Sequence, residues 1–216
     1  MAMLDWLDEL ITQYGREHGL SKSDFNSSSV WFSYGSNLSE TDFKDRMKGY
    51  DYELGHLNPI RARLDGWRRE LANASKKHGL GYTIVECPTS PALTVEGLLH
   101  EIPLKALPAF LRKEGILNQI CHVKCDSTRS YDIQRITASE PSQEALTLIG
   151  RCRKALDQVE NEMLHKLEKY VEDSICGANF YNLNCSDMIS DLECVRERSK
   201  TAQNDASTVK NGLLNP

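Results

Sequence analysis

Two short stretches of this chain carry residue types that can do chemistry. The first is Tyr34-Gly35-Ser36-Asn37-Leu38, a turn of small side chains that closes the β-branched and aromatic run Val30-Trp31-Phe32-Ser33-Tyr34. Gly35, Ser36 and Asn37 are turn formers, and two of them tolerate positive φ. Ser39 then opens a polar stretch with Asp42 three positions on, close to a capping box. A strand, a tight turn and a helix N-terminus in that order present backbone N–H groups to a carboxylate or an oxyanion. The same order also describes an ordinary strand-to-helix connection, so the turn alone decides nothing.

The second stretch is IPLKALPAFLRKEG, residues 102–115. Leu104, Leu107, Phe110 and Leu111 recur at helical spacing, Pro103 opens the segment and Gly115 stops it. Pro108 cannot sit deep in a regular helix, so the helix begins only a few residues before it or kinks there. Either way Glu114 falls in the last turn. A carboxylate there faces the negative end of the helix dipole, which disfavours its charge and suits it to general-base work, with Arg112 and Lys113 offsetting the effect. The alternative is a solvated surface glutamate.

Taken together, WFSYGSNL, the stretch ARLDGWRRELANASKKHGLGYTIVECPTSPALTVEGLLHEI and the pair Glu114-Gly115 resemble the gamma-glutamylcyclotransferase family, its gamma-glutamylamine-acting relatives included, in order and spacing over about residues 30–115. The resemblance implies an α+β fold: a small mixed, mostly antiparallel barrel-like sheet with flanking helices and a substrate cavity at one mouth. It implies that Tyr34, Gly35, Ser36, Asn37 and Leu38 hold the substrate, that Val95-Glu96-Gly97 lie on a strand, and that Glu114 is the catalytic acid/base. The reaction so implied cyclises a γ-glutamyl amide to 5-oxoproline and releases the amine, with no cofactor. The other reading is a non-catalytic domain of the same fold that binds a small molecule or a protein. The chain departs from the family pattern in three places. Leu111 stands where members often carry an Asp, Ile116-Leu117-Asn118-Gln119 where a Tyr follows the Glu-Gly pair, and residues 137–148 offer no counterpart to a later substrate-contacting tyrosine. Tyr131 receives no role.

Composition excludes other classes. A net charge of −5 argues against a nucleic-acid partner, which needs a basic face. Arg61, Arg63, Arg68 and Arg69 alternate with apolar residues and read as the outer face of a strand. No segment approaches the roughly 18–20 apolar residues of a membrane span, and the acidic start MAMLDWLDEL lacks a signal pattern, so a cytoplasmic protein is expected. The seven cysteines include no Cys-x-x-Cys pair. The metal candidate is Cys121-His122 with Cys125 and Cys87, but His122 points away from the other side chains on a strand, so reduced, packed thiols and no metal are expected. Glu96 is the rival carboxylate, facing either substrate or solvent.

The elements that must position these groups are then read along the chain. Leu4, Leu7, Leu10, Ile11 and Tyr14 share one helical face, so residues 3–18 form an amphipathic helix that packs on the core or on a partner, followed by a serine-rich linker to residue 29. Short strands dominate from 30 to about 137, with helices after the 34–38 turn and before Glu114. From 144 to 176, Leu156, Val159, Met163, Leu167, Tyr170 and Val171 recur at three and four, a long helix or helical pair that supplies core or a homodimer contact. Residues 30–176 make the domain, and 177–216 read as a polar, largely flexible tail.

Overall fold

The computed structural model describes residues 5–38, 58–118, 122–124 and 131–212, leaving out the side chains of 16–17 and 205–212. Its centre is strand β1 (Ser28–Ser33), flanked antiparallel by β5 (Thr94–Pro103) and parallel by β7 (Ser142–Gly150). With β2 (Ile60–Asp65) and β6 (Tyr131–Ser139) at its edges, the five-stranded sheet runs β2-β5-β1-β7-β6. The two edges curl until they meet. Arg63 N–H donates to the Glu140 carbonyl at 3.1 Å and the Ser139 hydroxyl to the Arg63 carbonyl at 2.9 Å, which satisfies backbone groups that open edges leave bare. A two-stranded ribbon, β3 (Trp67–Ser75) with β4 (Gly79–Glu86), docks on this half-barrel through Gly150 N–H to Thr83 Oγ1 at 2.8 Å. The α+β, barrel-like architecture expected from the sequence is the one observed.

Alternation along β1 divides the interior. Trp31 points into one cluster with Ile102 and Phe110, while Phe32 and Tyr34 point into another with Leu98 and Tyr82. Helix α1 (Asp5–His18) buries Trp6, Leu7, Leu10 and Tyr14 in the first cluster, so its apolar stripe serves the core. Helix α2 (Leu107–Lys113) packs there too, with the rings of Phe110 and Trp31 edge-on at 5.1 Å. Helices α3 (Leu164–Phe180) and α4 (Ser186–Gly212) cover the second cluster.

Four expectations need correction. Residues 142–150 are a strand, and Leu156, Val159 and Met163 lie in or beside 3-10 turns, so the helix begins only at Leu164. The tail expected to be flexible is helical over Ser186–Gly212, and it buries Met188, Val195 and Ala202. These recur every seven residues, one core contact per two turns, too sparse to stand out among polar neighbours. The serine-rich linker contains a 3-10 turn, Lys22–Phe25, that buries Phe25. Arg69, finally, is not on an outer face: with its side chain 1% exposed, it donates to both Asp187 oxygens at 2.8 and 2.9 Å and to the Glu96 carbonyl at 2.7 Å. The helix expected after residue 38 and the zinc candidates Cys121 and Cys125 lie outside the described residues. Among the described residues five cysteines are free thiols, no group of side chains has metal-site geometry, and no helix is long and apolar enough to cross a membrane.

Candidate active site

At the C-terminal end of β1 the chain leaves the sheet and turns at once into a 3-10 turn, Ser36–Leu38, closed by Leu38 N–H on the Gly35 carbonyl at 2.9 Å. Gly35 makes this possible. A Cβ there would sit 3.1 Å from the Cβ of Tyr82 and 3.4 Å from the Tyr170 hydroxyl oxygen, so the bare glycine lets the turn lie against β4 without moving either neighbour. Leu38 is fully buried and anchors the turn in the second core cluster. Tyr34 is 6% exposed and donates its hydroxyl to the Leu148 carbonyl. Burial, and then the nearby phenols of Tyr131 and Tyr170, hold its proton well above the ordinary tyrosine range, so it acts as a fixed neutral donor.

Glu114 arrives from the other side. It caps α2 with φ −78° and ψ −2°, and Gly115 follows in the left-handed region at φ +77°. Gly115 N–H bonds the Arg112 carbonyl at 3.1 Å and Ile116 N–H the Leu111 carbonyl at 2.9 Å, the two bonds of a Schellman cap. That stop fixes where the Glu114 side chain leaves the backbone, and Glu114 is 7% exposed rather than solvated.

The two stretches meet in one cleft. Tyr34, Gly35, Ser36 and Asn37 line it together with Glu114, around about 400 Å³ of empty space, open solvent included. Leu38 is not among the lining residues. Asn37 Oδ1 is a buried acceptor with no hydrogen-bond partner among the described residues, and such an atom calls for a donor from whatever fills the cleft. Glu96 lies elsewhere. Its carboxylate accepts Asn184 N–H at 2.8 Å and stands 3.6 Å from Arg61, tying the connection between α3 and α4 to β5. The expected strand position of Val95, Glu96 and Gly97 is that of β5.

Three cleft tyrosines escaped the sequence reading. Tyr131 starts β6, Tyr82 lies on β4, and Tyr170 on α3 accepts Tyr82 N–H at 3.0 Å. Tyr131, Tyr170 and Glu114 all act electrostatically on the Tyr34 hydroxyl, so four groups converge at one end of the cleft. The signal for Tyr170 was present: it stood in an apolar stripe where a hydroxyl needs a partner.

No family model matches the chain, and no curated protein matches it significantly. Among solved structures, YkqA from Bacillus subtilis is similar with a TM-score of 0.50 and 17% identity, over 81% of this chain and 55% of that one. A gamma-glutamyl cyclotransferase is similar with a TM-score of 0.45 and 15% identity, over 66% of this chain and 80% of that one. The uncharacterized human protein loc79017 gives 0.46 and 13%, over 78% and 99%. The chain spans about half the length of YkqA. At 17% identity the likeness to YkqA extends to the fold alone, an α+β half-barrel as the sequence suggested.

Proposed function

We propose that this chain cyclises γ-glutamyl amides to 5-oxoproline and releases the attached amine. The observation that carries the reading is that the turn at 34–37 and the buried Glu114, 77 or more residues apart in sequence, line a single cleft.

A γ-glutamyl amide contains its own nucleophile, so the protein must supply position, a proton path and charge stabilisation. In this reading the backbone N–H groups at 35–37 hold the substrate's α-carboxylate or the oxyanion developing on the γ-carbonyl, and Asn37 Oδ1 accepts an N–H from the α-ammonium. Glu114 takes a proton from that ammonium. The freed amine attacks the γ-carbonyl carbon and a five-membered ring closes; the γ-carbon to nitrogen bond breaks as Glu114 returns its proton to the leaving amine, and the second proton lost by the ring nitrogen leaves with that amine, which departs as an ammonium ion. Protons and electrons balance with no redox partner. Folding the chain back on itself is worth roughly 7–11 kcal/mol in the best-oriented intramolecular reactions. A well-aimed backbone donor to the oxyanion is worth about 3–4 kcal/mol.

The test is to incubate the protein with γ-glutamyl amino acids, γ-glutamyl amines and glutathione, and to measure 5-oxoproline by mass spectrometry. Release from at least one amide is expected, and a panel that yields none sinks the proposal. Gly35→Ala gives a second check. The new methyl must displace either the turn or Tyr82, and misplacing the anion-holding groups by a fraction of an ångström is expected to lower kcat/KM by about tenfold or more. Steady-state kinetics on the same substrate measure this, with thermal melting to confirm that the fold persists.

A further inference from the structure

We propose that His78 is a positioning residue for this cleft: its imidazole, stacked on Tyr170, holds the Tyr170 hydroxyl between the anion-holding turn and β4. The inference rests on the reading of residues 35–37 as the group that holds the substrate's carboxylate, and it adds a residue that does not itself line the cleft.

His78 sits at the tip of the β3–β4 ribbon, where its N–H donates to Ser75 Oγ at 3.2 Å. Its ring lies 4.8 Å from that of Tyr170 with 29° between the planes, a stacked geometry that favours one orientation of the phenol. The Tyr170 hydroxyl oxygen in turn accepts Tyr82 N–H at 3.0 Å. It also lies against the turn: a Cβ built on Gly35 would be 3.4 Å from it, and one on Gly81 3.7 Å. Three backbone points, at 35, 81 and 82, are therefore registered on one oxygen. Helix α3 keeps its own hold on the core through Leu164, Leu167 and Val171, all buried, so the stack is not what docks the helix. Its effect is local. With the imidazole gone, the phenol loses the ring contact that opposes rotation about χ1, and its oxygen shifts within the three-way contact, held then by the Tyr82 N–H and the Tyr82 ring.

The test is a double-mutant cycle on the full chain with His78→Ala and Tyr170→Phe, read as KM and kcat on a γ-glutamyl amide turned over by the wild type and as affinity for L-glutamate by calorimetry. His78→Ala is expected to raise KM and to weaken glutamate binding about tenfold, with kcat within about twofold, because substrate and transition state lean on the turn alike. His78→Phe keeps a flat ring and is expected to restore most of the loss. In the Tyr170→Phe background there is no hydroxyl left to place, so His78→Ala is expected to add less than about twofold. Wild-type KM and glutamate affinity in His78→Ala would overturn the proposal. So would an effect undiminished by Tyr170→Phe, or a His78→Phe variant no better than His78→Ala. If no amide is cyclised but glutamate binds, the cyclisation reading fails while the binding cycle still judges His78. A wild-type protein that neither binds glutamate nor turns over any amide overturns both.

Discussion

Glu114→Gln is expected to lower 5-oxoproline release about 10²–10⁴-fold, the usual worth of a positioned general acid–base group. On the barrier this is roughly 3–5 kcal/mol. The substitution leaves the turn that ends α2 at Glu114 in place, because that turn is made by backbone: the Schellman bonds from Gly115 and Ile116 and the left-handed Gly115. Gln fills the same volume and leaves the cap intact, but it cannot carry a proton from the α-ammonium to the leaving amine. KM should move little, since the turn at 35–37 remains, and the melting temperature should stay close to wild type. A variant turning over at the wild-type rate would remove Glu114 from the proton path, whatever the cleft binds.

How far the sequence showed this site depends on how local the determining physics is. The turn at 34–38 and the Glu114-Gly115 cap were legible because each follows from neighbouring residues: turn formers after an apolar strand in one case, a proline-opened helix stopped by glycine in the other. Tyr131 and Tyr170 were not, because what brings them into the cleft is strand order. β7 and β6 follow β1 in the sheet, and no spacing in the chain announces that Tyr131 starts a strand two places from Tyr34. Arg69 failed for a related reason. Alternating Arg and apolar residues mark one exposed face only if nothing covers it, and here the start of α4 brings Asp187 onto that face. By sequence Glu96 faces either substrate or solvent; in the fold its carboxylate instead receives the N–H of Asn184. The apolar stripe around Leu167 and Val171 fits either core or a homodimer contact by spacing alone, and both residues are buried in the core. Its one hydroxyl, on Tyr170, braces the turn.

The acid stability of the fold should carry the signature of one histidine. His100 lies on β5 directly opposite Trp31 of β1 and is 4% exposed. Burial pushes its pKa down from 6.5 to about 4, because a charged imidazole there would lose its hydration. Between those two values the unfolded chain binds a proton that the native chain refuses, so stability rises with pH across the window and is fully present above about 6.5. Falling from 6.5 to 4, the native state loses about 3 kcal/mol from this group, at roughly 1.4 kcal/mol per pH unit. Asp191 on α4 works the other way. Burial first, and then the Asp187 charge, push its carboxyl up to about 6, so its contribution to stability falls as pH rises between the ordinary carboxylate range and 6. A single unfolding curve against pH mixes the two. Comparing wild type with His100→Leu cancels the Asp191 part, because both proteins carry it. The difference in unfolding free energy, measured by urea titration at several pH values, should then shift by about 3 kcal/mol between pH 7 and pH 4 in favour of the variant. A difference that stays flat across that range would mean that His100 is not the group that charges as the fold opens. The location gives the effect a functional side. The strand pair that His100 and Trp31 cross leads directly into the turn at 34–37, and Trp31 packs on Phe110 of the helix that ends at Glu114. Charging His100 therefore loosens the support shared by both halves of the cleft, and as pH falls to about 4 activity should fall with this strand pair even where the rest of the chain stays folded.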